Sequence, residues 1–532
     1  MSVPRLSRIT DYVDHWATRR PTSEALVGDT GRWTYERLRD DVDRCAAALL
    51  AAGVRRGDRV ALLGHPQPEC YVVFLATAAI GGVWVGLNPK YTVAELAHVV
   101  ADSEPKLLFG MLDADDPAQP ETLSRLRDLG SMRVVTRDRE VAGLSTAYQT
   151  FVDVTPEDRG DRLASARAQV RPLDPAAMIY TSGSTGKPKG ALVPHTGLAY
   201  CGVVQAGRWY GDAPRKLCDL PLNHIGGLGD ICTSVLTAGG TVVFMERFDA
   251  AGALRTVERE RLTHLYCIPT QLLAAVRTPE WSQCDLSSLE YILWGGAAAP
   301  LSLLSTLAKT GARLGTSYSL TESTGSVTYT DPGDPLDVLA WSVGRVDPHY
   351  EVALRRSDGA TAVPGEAGEL LIRGDFITRG YFRNPGATRE AIDEDGWLHT
   401  GDLAQEEPGG HIRLVGRLKE MFKSGGYNVY PREIEAALEE HPAVALAAVV
   451  GVPDERWGEV GHAFIVSNSS VTSDELQRFA RSRLANYKVP KVFRLERDLP
   501  KLPIGKIDKV ELRRRAAAAV SPGESASERT GR

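Results

Sequence analysis

The chain has 532 residues, which is more than a single hydrophobic core usually holds, so its length predicts at least two domains. Its 62 Lys and Arg residues against 68 Asp and Glu residues give a formal net charge of -6, with no basic block that could follow a nucleic-acid backbone. We therefore expect no nucleic-acid partner. Met1 to Arg20 carry charges throughout and lack the apolar stretch of a secretory signal, which predicts a cytoplasmic protein.

The seven cysteines are widely spaced and form no C-x-x-C pair, which is typical of a reducing compartment and argues against a disulfide framework or a metal cluster. The longest apolar run, residues 71–87, is shorter than the roughly 20 residues of a membrane span and is interrupted by Gly81 and Gly82. We predict a buried helix that leads into a strand, and no membrane span.

Helical and strand-like patterns alternate along the N-terminal part of the chain. In residues 34–53 apolar side chains recur at three- and four-residue steps, which predicts an amphipathic helix, and the β-like run 59–63 follows. The alternation returns at 93–109 and at 251–268. It predicts an α/β fold with largely parallel sheets. Residues 111–171 are richer in charge and proline, and we expect surface helices and connections there.

The character of the sequence changes near Arg417. A charged, glycine-containing stretch there precedes one predicted helix and two predicted strands, at 431–440, 444–452 and 463–466. We predict a large N-terminal domain of packed sheets and helices, residues 1–417, and a small mobile α+β domain, residues 418–515. The last residues, 516–532, are rich in Ala, Ser and Gly without any aromatic side chain, and are expected to be disordered.

A glycine-rich loop follows the predicted strand that ends at Tyr180. Its glycines let the backbone approach an anion, its hydroxyl groups can donate to phosphate oxygens, and its lysines supply positive charge. The residues expected to bind phosphate are Thr181, Ser182, Gly183, Ser184, Thr185, Gly186, Lys187 and Lys189. A Walker A loop needs Ser or Thr after its Lys, whereas Pro188 follows Lys187, so a P-loop NTPase is disfavoured.

The segment from Tyr180 to Gly190, Y-T-S-G-S-T-G-K-P-K-G, resembles the phosphate loop of the adenylate-forming superfamily, which includes acyl-CoA synthetases, adenylation domains and firefly luciferase. Six segments between residues 23 and 509 resemble motifs of that superfamily and occur in its order. The chain looks most like an acyl-CoA or aryl-CoA synthetase. The resemblance implies ATP, Mg²⁺ and coenzyme A as cofactors.

Two of these segments concern the purine and the α-phosphate. In the segment resembling Y-G-x-T-E, the family pattern implies an aromatic face for the purine at Tyr318, a hydroxyl for the α-phosphate at Thr321 and a Mg²⁺ ligand at Glu322. Gly296 and Ala297 lie in a Gly-Gly-Ala turn like the one whose backbone borders adenine in the family.

The remaining segments concern the ribose and the second reaction step. By resemblance, Asp402 would accept hydrogen bonds from the ribose hydroxyls, and Arg417 would contact the ribose. Lys506 lies in a P-x-x-x-x-G-K loop and would be the catalytic lysine of adenylation, while Lys419 would be the hinge between domains. After a rotation at that hinge, the pantetheine tunnel would be lined by Gly425, Gly426 and Tyr427.

The acid pocket is expected from another resembling segment, Pro221 to Gly227. His224 stands where the family has an aromatic residue or His, so we place it beside the acyl group and among the catalytic residues, although a structural role stays open. Ile225 occupies a position where family members that activate amino acids carry Asp. Members that activate aryl acids and load them on carrier proteins carry Asn there. Ile225 offers no charge that could bind an α-amino group. The pocket residues expected are Asn223, His224, Ile225, Gly295, Gly315 and Ser319. Asn223 and Ser319 indicate a polar substituent.

These features predict ATP-dependent conversion of a carboxylic acid, aromatic or apolar, to an acyl-adenylate and then to a coenzyme A thioester. Two alternatives keep the adenylation but change the acceptor or the acid. The acyl group could pass to the pantetheine of a separate carrier protein, or an acid such as nitrite could be adenylated for attack by an amine. A catalytically silent ligand-binding homologue is a further alternative, against which the retained Lys506, Glu322, Asp402 and Arg417 argue. We expect a monomer or a homodimer.

Overall fold

The computed structural model describes residues 3–112, 119–130, 132–153, 159–181, 188–502 and 506–518. Three β-sheets of thirteen, seven and five strands, with helices packed on their faces, make up this part of the chain. The two larger sheets come from the N-terminal part and the smallest from residues 422–496. The predicted α/β fold with a large N-terminal and a smaller C-terminal portion is confirmed.

The seven-stranded sheet carries the phosphate loop. In spatial order its strands are Ser145–Ala147, Arg133–Thr136, Leu107–Met111, Arg59–Gly64, Val83–Leu87, Pro175–Thr181 and Lys189–Pro194. Neighbouring strands are parallel except the last two, which are antiparallel. The glycine-rich loop connects this antiparallel pair, and its residues 182–187 lie outside the described residues.

The thirteen-stranded sheet is antiparallel in one half and parallel in the other, except for the antiparallel edge pair Glu24–Gly28 and Gly31–Thr34. In spatial order its strands are Glu351–Arg355, Ala367–Arg373, Leu398–Glu407, His411–Arg417, Ser342–Val346, Gly325–Tyr329, Arg313–Leu320, Tyr291–Trp294, His264–Cys267, Arg215–Cys218, Thr241–Phe244, Glu24–Gly28 and Gly31–Thr34. The expectation of largely parallel sheets is wrong for residues 313–417, whose strands pair antiparallel. Short turns such as 408–410 allow this, because antiparallel neighbours need no crossover helix.

The helix Pro68–Ala79 lies between the two large sheets and contacts strands of both. Every residue of this helix except Glu69 is buried, and the strand Val83–Leu87 that follows is buried along its whole length. The predicted buried helix leading into a strand is thus confirmed. Among the described residues, no helix is both long enough and apolar enough to cross a membrane.

The five-stranded sheet belongs to the C-terminal part of the chain. Its strands are Tyr427–Val429, Phe422–Ser424, Gly458–Ser467 and Val444–Asp454 in spatial order, with Val492–Glu496 parallel to Gly458–Ser467. The helices Pro431–Glu439 and Lys509–Ala518 pack against it. The expected disorder is wrong for residues 516–518, because they lie in the latter helix and the side chain of Ala516 is fully buried. Residues 519–532 lie outside the described residues.

The remaining helices pack on the three sheets or on one another. In chain order, the others are Asp11–Arg19, Tyr35–Ala51, Val93–Ser103, Gln119–Arg127, Tyr148–Val152, Arg159–Gln169, His195–Trp209, the π-helix Gly226–Thr233, Ser234–Ala238, Ala250–Glu260, Pro269–Ala275, Glu280–Gln283, Leu301–Leu307, the 3₁₀ turn Ala308–Thr310, Leu336–Trp341, Pro385–Ala391 and Ser473–Arg481. Residues 111–171 hold helices as expected, but they also add two edge strands to the seven-stranded sheet.

Candidate active site

The end of the strand Pro175–Thr181 lies beside a carboxylate from the other large sheet. Thr181 Oγ1 donates a hydrogen bond of 3.2 Å to Glu322 Oε1, and Tyr381 Oη donates one of 2.8 Å to the same oxygen. Lys189 Nζ lies 5.4 Å from the centre of the Tyr381 ring. The structure therefore brings together three residues that were predicted to bind phosphate or metal, namely Thr181, Lys189 and Glu322. Thr321 lies half-buried in the same turn as Glu322.

A second group forms around a buried carboxylate on the strand Leu398–Glu407. Tyr318 Oη donates to Asp402 Oδ2 over 2.6 Å, and Arg417 Nε donates to Asp402 Oδ1 over 2.7 Å. Burial, and then the nearby charge of Asp402, raise the pKa of the Tyr318 hydroxyl well above its usual value. Burial disfavours the charged form of Arg417 and by itself would lower the pKa of the guanidinium. The nearby carboxylates of Asp402 and Glu420 outweigh the effect of burial, so the pKa is raised.

Lys506 comes from the C-terminal part of the chain and reaches this second group. Burial and the charge of Arg417 lower the pKa of its ammonium, and Asp402 acts in the opposite direction. A Cβ atom on Gly296 would lie only 3.2 Å from Lys506 Cε, and Gly296 has a φ of +82°. The lysine can approach the turn after the strand Tyr291–Trp294 because glycine stands there. Lys506 is nevertheless exposed to solvent, as are Gly296 and Ala297.

His224 is largely buried beside these cations. Burial lowers the pKa of its imidazole to about 4, and the charges of Lys506 and Lys90 act in the same direction. Its Nε2 atom is buried and has no hydrogen-bond partner among the described residues. The ring is therefore neutral at physiological pH, and this nitrogen is available to a bound group.

The other residues predicted for the acid pocket are buried. Asn223 packs under the strand Val83–Leu87, where a Cβ on Gly86 would lie 2.6 Å from its Cα atom. A Cβ on Gly295 would lie 2.2 Å from the hydroxyl of Tyr266, so only glycine fits at this point of closest approach. Buried positions are also found for Ile225 and Gly315, and Ser319 is half-buried.

The sequence did not reveal all of the residues at this site. Tyr381 reaches Glu322 because residues 379–382 pair with the strand Lys189–Pro194, a contact without a local pattern. A buried polar group around Lys216 and Asp230, next to Tyr266, was missed as well. Lys216 follows Arg215 in the short strand Arg215–Cys218 and Asp230 stands alone in the π-helix Gly226–Thr233, and neither position belongs to a recognisable motif. Segments of π-helix occur frequently at functional sites.

The predicted hinge and tunnel residues lie at the surface, in two turns of the C-terminal part of the chain. Lys419 is exposed in the turn between the strands His411–Arg417 and Phe422–Ser424. Gly425 and Gly426, with φ of +58° and +86°, form a two-residue hairpin turn at the surface. Tyr427 follows with 60% of its surface exposed and stacks on Tyr487 at a ring-centre distance of 4.6 Å.

No group of three or more His, Cys, Asp or Glu side chains suitable for a metal ion occurs within the described ranges. Mg²⁺ commonly binds through one or two carboxylates together with substrate phosphates, and Glu322, held by two hydroxyls beside the phosphate loop, fits that mode. A cavity of about 510 Å³ lies elsewhere, between the N-terminal residues and the helix His195–Trp209, and none of the predicted site residues lines it.

Known proteins resemble this chain over almost its whole length. A feruloyl-CoA synthase from an Amycolatopsis species is 37% identical over 507 residues, which cover 94% of this chain and 98% of that protein. An indoleacetate–CoA ligase from Aromatoleum aromaticum is 34% identical, with 96% and 98% coverage. The structure of an amide bond synthetase from Marinactinospora thermotolerans matches with a TM-score of 0.84 at 31% identity, covering 96% of this chain and 100% of that one.

The α/β fold, the groups of polar side chains around Glu322 and Asp402, and the approach of Lys506 to the second group are typical of a nucleotide-binding enzyme. The AMP-binding enzyme family matches residues 13–382, and the AMP-binding enzyme C-terminal domain matches residues 433–506. The chain belongs to the AMP-binding enzyme family. The resemblance to the adenylate-forming superfamily is thereby confirmed.

Proposed function

We propose that this protein is an AMP-forming acid:CoA ligase. In the first step a carboxylate oxygen of the acid would attack the α-phosphorus of ATP, and pyrophosphate would leave. In the second step the thiol of coenzyme A would attack the acyl carbon, and AMP would leave. The observation that carries this proposal is the position of Lys506, which comes from the C-terminal part of the chain and lies against Gly296 and near Asp402 and Arg417.

The charges at the site suit the first step. Attack of a carboxylate on a phosphate brings two anions together, so cations must be fixed near the reacting oxygens. Lys506 would lie between the carboxylate and the α-phosphate, while Thr181, Lys189 and the loop between them would bind the outer phosphates. Glu322 would hold Mg²⁺, which neutralises phosphate charge when bound. Thr321 would donate to the α-phosphate.

Asp402 is arranged to bind the ribose. Tyr318 and Arg417 each occupy one of its carboxylate oxygens, and each oxygen can still accept a second hydrogen bond. The two ribose hydroxyls would donate to these oxygens without displacing the protein groups. Adenine would then lie near Tyr318 and the turn at Gly296 and Ala297.

The acid would extend from Lys506 past His224. A neutral imidazole can hydrogen-bond to the acyl group without adding charge, and Ile225 offers no partner for an α-amino group. Asn223, Gly295, Gly315 and Ser319 would line the rest of the pocket. The similarity to a feruloyl-CoA synthase and an indoleacetate–CoA ligase supports an aromatic acid.

The second step would require a rearrangement, since the thiol must reach the acyl carbon while Lys506 withdraws. We place the boundary between a large domain, 1–417, and a mobile domain, 418–515, with Lys419 as the hinge. The hairpin at Gly425, Gly426 and Tyr427 is exposed in the conformation in which Lys506 is at the site. This supports a rotation in which Lys506 leaves the site and the hairpin takes its place.

A different acceptor is the second candidate. The similarity to an amide bond synthetase over 96% of this chain favours an amine as the nucleophile that attacks the adenylate. A carrier-protein pantetheine would be a third acceptor, supplied by a separate protein.

Pyrophosphate release, measured against a panel of carboxylic acids with and without coenzyme A, tests these proposals. A coenzyme A ligase should form a thioester and AMP only when coenzyme A is added. Pyrophosphate release that does not depend on coenzyme A, together with amide formation from added amines, would favour the second candidate. An absence of pyrophosphate release with every acid would contradict acid activation altogether.

A further inference from the structure

A cluster of ion pairs, which we call the Lys509 cluster, lies in the C-terminal part of the chain and has no part in the chemistry proposed above. Lys509 Nζ donates a hydrogen bond of 2.6 Å to Glu420 Oε2 and lies 2.8 Å from Glu435 Oε1. Arg432 Nη1 lies 3.7 Å from Glu435 Oε2. The cluster thus joins a turn, a helix and the first residue of a second helix.

The cluster is largely shielded from water. Only 6% of the Glu435 side chain is exposed, compared with 21% for Lys509 and 30% for Glu420. Glu435 Oε1 also accepts a hydrogen bond of 2.9 Å from the backbone amide of Val449. Burial disfavours the charged form of Lys509, but the carboxylates of Glu435 and Glu420 outweigh this effect and raise the pKa of the ammonium. Lys509 is therefore charged at physiological pH, and two charge-assisted contacts define its position.

Lys509 is also tied to the segment that presents Lys506, residues 500–508, which we call the lysine loop. The backbone amide of Asp508 donates to the carbonyl oxygen of Pro500 over 2.8 Å and so joins the two ends of this loop. Lys509 follows directly, as the first residue of the last described helix. The position of Lys506 therefore depends on where this helix begins.

Glu420 connects the cluster to the residues proposed to bind the ribose. Its backbone amide donates to the carbonyl oxygen of Arg417 over 3.1 Å, and its carboxylate helps to raise the pKa of the Arg417 guanidinium. Arg417 in turn donates to Asp402. Opposite charges therefore alternate from Asp402 through Arg417 and Glu420 to Lys509. Lys506 is close enough to Arg417 and Asp402 for their charges to affect its pKa.

Apolar packing holds the base of the lysine loop but defines its direction less well. Leu499 and Leu512 are buried in one apolar cluster, and Ile507 packs against it. Apolar contacts are non-directional, whereas charge-assisted hydrogen bonds have a specific geometry. Displacement of a reacting group by about 1 Å can cost about 100-fold in rate. The ion pairs of Lys509 are therefore suited to set the direction in which Lys506 points.

We propose that Lys509 is a positioning residue for adenylation. Through its ion pairs with Glu420 and Glu435 it fixes the lysine loop relative to the turn at Lys419, so that Lys506 points at the reacting oxygens. The assignment rests on the proposed acid-activating function and adds a residue to its first step. Lys509 acts only through Lys506, which the second step does not use, so the second step should not depend on Lys509.

Lys509→Met tests the assignment, because methionine keeps most of the apolar stem and loses the charge. ATP–pyrophosphate exchange, with an acid that the wild-type protein activates, reports adenylation. Thioester formation from added acyl-adenylate and coenzyme A reports the second step. Exchange should fall by at least about tenfold, because Lys506 would be misplaced. Thioester formation and the KM for ATP should stay within about twofold of the wild-type values, since Asp402 and Arg417 are unchanged.

Glu420→Gln is the second variant, because Glu420 is more exposed than Lys509 and the amide keeps the size of the side chain. It breaks the contact with the turn but leaves the pair of Lys509 and Glu435 in place. Exchange should again fall, and thioester formation should not. The double variant with Lys509→Met should lose about as much exchange as Lys509→Met alone, since both changes remove one contact. A loss equal to the product of the two single losses would overturn the assignment.

Lys488→Met is the matched control. The side chain of Lys488 is likewise 21% exposed, and it pairs with Glu433, which lies on the same helix as Glu435. This pair has no contact with the lysine loop among the described residues, so exchange should stay within about twofold of the wild-type rate. An equal fall in exchange in Lys488→Met and in Lys509→Met would overturn the assignment.

The two half-reactions separate positioning from folding. A purely structural role of Lys509 would lower exchange and thioester formation alike, and that result would overturn the assignment while acid activation stands. Unchanged exchange in Lys509→Met would overturn it too. If the wild-type protein showed no exchange with any acid, the proposed function itself would be contradicted and the assignment would fall with it.

Discussion

Arg417 and Asp402 face each other on neighbouring antiparallel strands, and Arg417 Nε donates to Asp402 Oδ1 over 2.7 Å. The carboxylate is buried, with 5% of its side chain exposed, whereas 54% of the Arg417 side chain is accessible. Tyr318 occupies the other carboxylate oxygen from within the protein. The orientation of Asp402 is therefore fixed before any nucleotide binds, which reduces the entropy that binding must overcome.

Asp402→Asn should raise the KM for ATP by about 10- to 100-fold, because hydrogen bonds to a charged group are stronger than those to a neutral amide. The measurement is ATP–pyrophosphate exchange at varied ATP. The control is Glu351→Gln, which weakens an exposed ion pair with Arg373 in the same sheet and should leave the KM unchanged. An unaltered KM for Asp402→Asn would mean that Asp402 only supports the fold.

Lys506→Ala should slow adenylation by about 100-fold or more, because it removes a cation fixed where charge develops. ATP–pyrophosphate exchange reports this step, and thioester formation from added acyl-adenylate reports the second step, which should be much less affected. The matched control is Lys501→Ala in the same region, an exposed lysine that pairs with Asp498. Equal loss in both half-reactions would contradict the role given to Lys506.

The fall in the rate of adenylation at alkaline pH should also depend on the ionisation of Lys506. Burial and Arg417 place the pKa of its ammonium below the ordinary lysine value of 10.5. The charged form is required, so kcat/KM should fall as pH rises through this lowered pKa. Lys506→Arg keeps its charge at all accessible pH values, and its remaining activity should lack that fall. Exchange rates from about pH 7 to about pH 10.5 test this; an identical fall in Lys506→Arg would assign it to another group.

The residues proposed to bind the nucleotide could be selected from the sequence because they lie in short contiguous motifs. Glu322 and Asp402 each follow a recognisable run of residues, and the structure brings them to Thr181 and Arg417 as the order of those motifs implied. Tyr381 has no such run, since its contact with Glu322 depends on pairing between distant segments.

The buried polar group around Lys216 and Asp230 was less predictable for a related reason. Neither Lys216 nor Asp230 belongs to a recognisable motif, and only the packing of a strand against a π-helix makes them neighbours. The antiparallel half of the thirteen-stranded sheet was missed. Parallel strands were predicted from the alternation of helices and strands earlier in the chain, and that alternation does not continue through residues 313–417.

The turn at Lys419 should be needed for the second step alone. The backbone amides of Leu418, Glu420 and Met421 donate to Gly401 and Arg417, whereas that of Lys419 donates to no backbone oxygen in the part of the chain that the structure describes. Lys419→Pro therefore costs no hydrogen bond in the observed conformation but restricts the backbone rotation at this residue and the one before it. Pyrophosphate exchange should persist while thioester formation slows by about tenfold or more, as gating steps of this kind allow.

Lys419→Ala is the control for this prediction, because it removes the same side chain and leaves the backbone free. Both half-reactions should then proceed close to the wild-type rate, since the side chain is exposed and the turn keeps its backbone hydrogen bonds. If Lys419→Pro lowered both half-reactions equally, the turn would be a static support for the site and domain rotation would have to occur elsewhere. If Lys419→Ala alone slowed thioester formation, the charge of the lysine and not the backbone would be responsible.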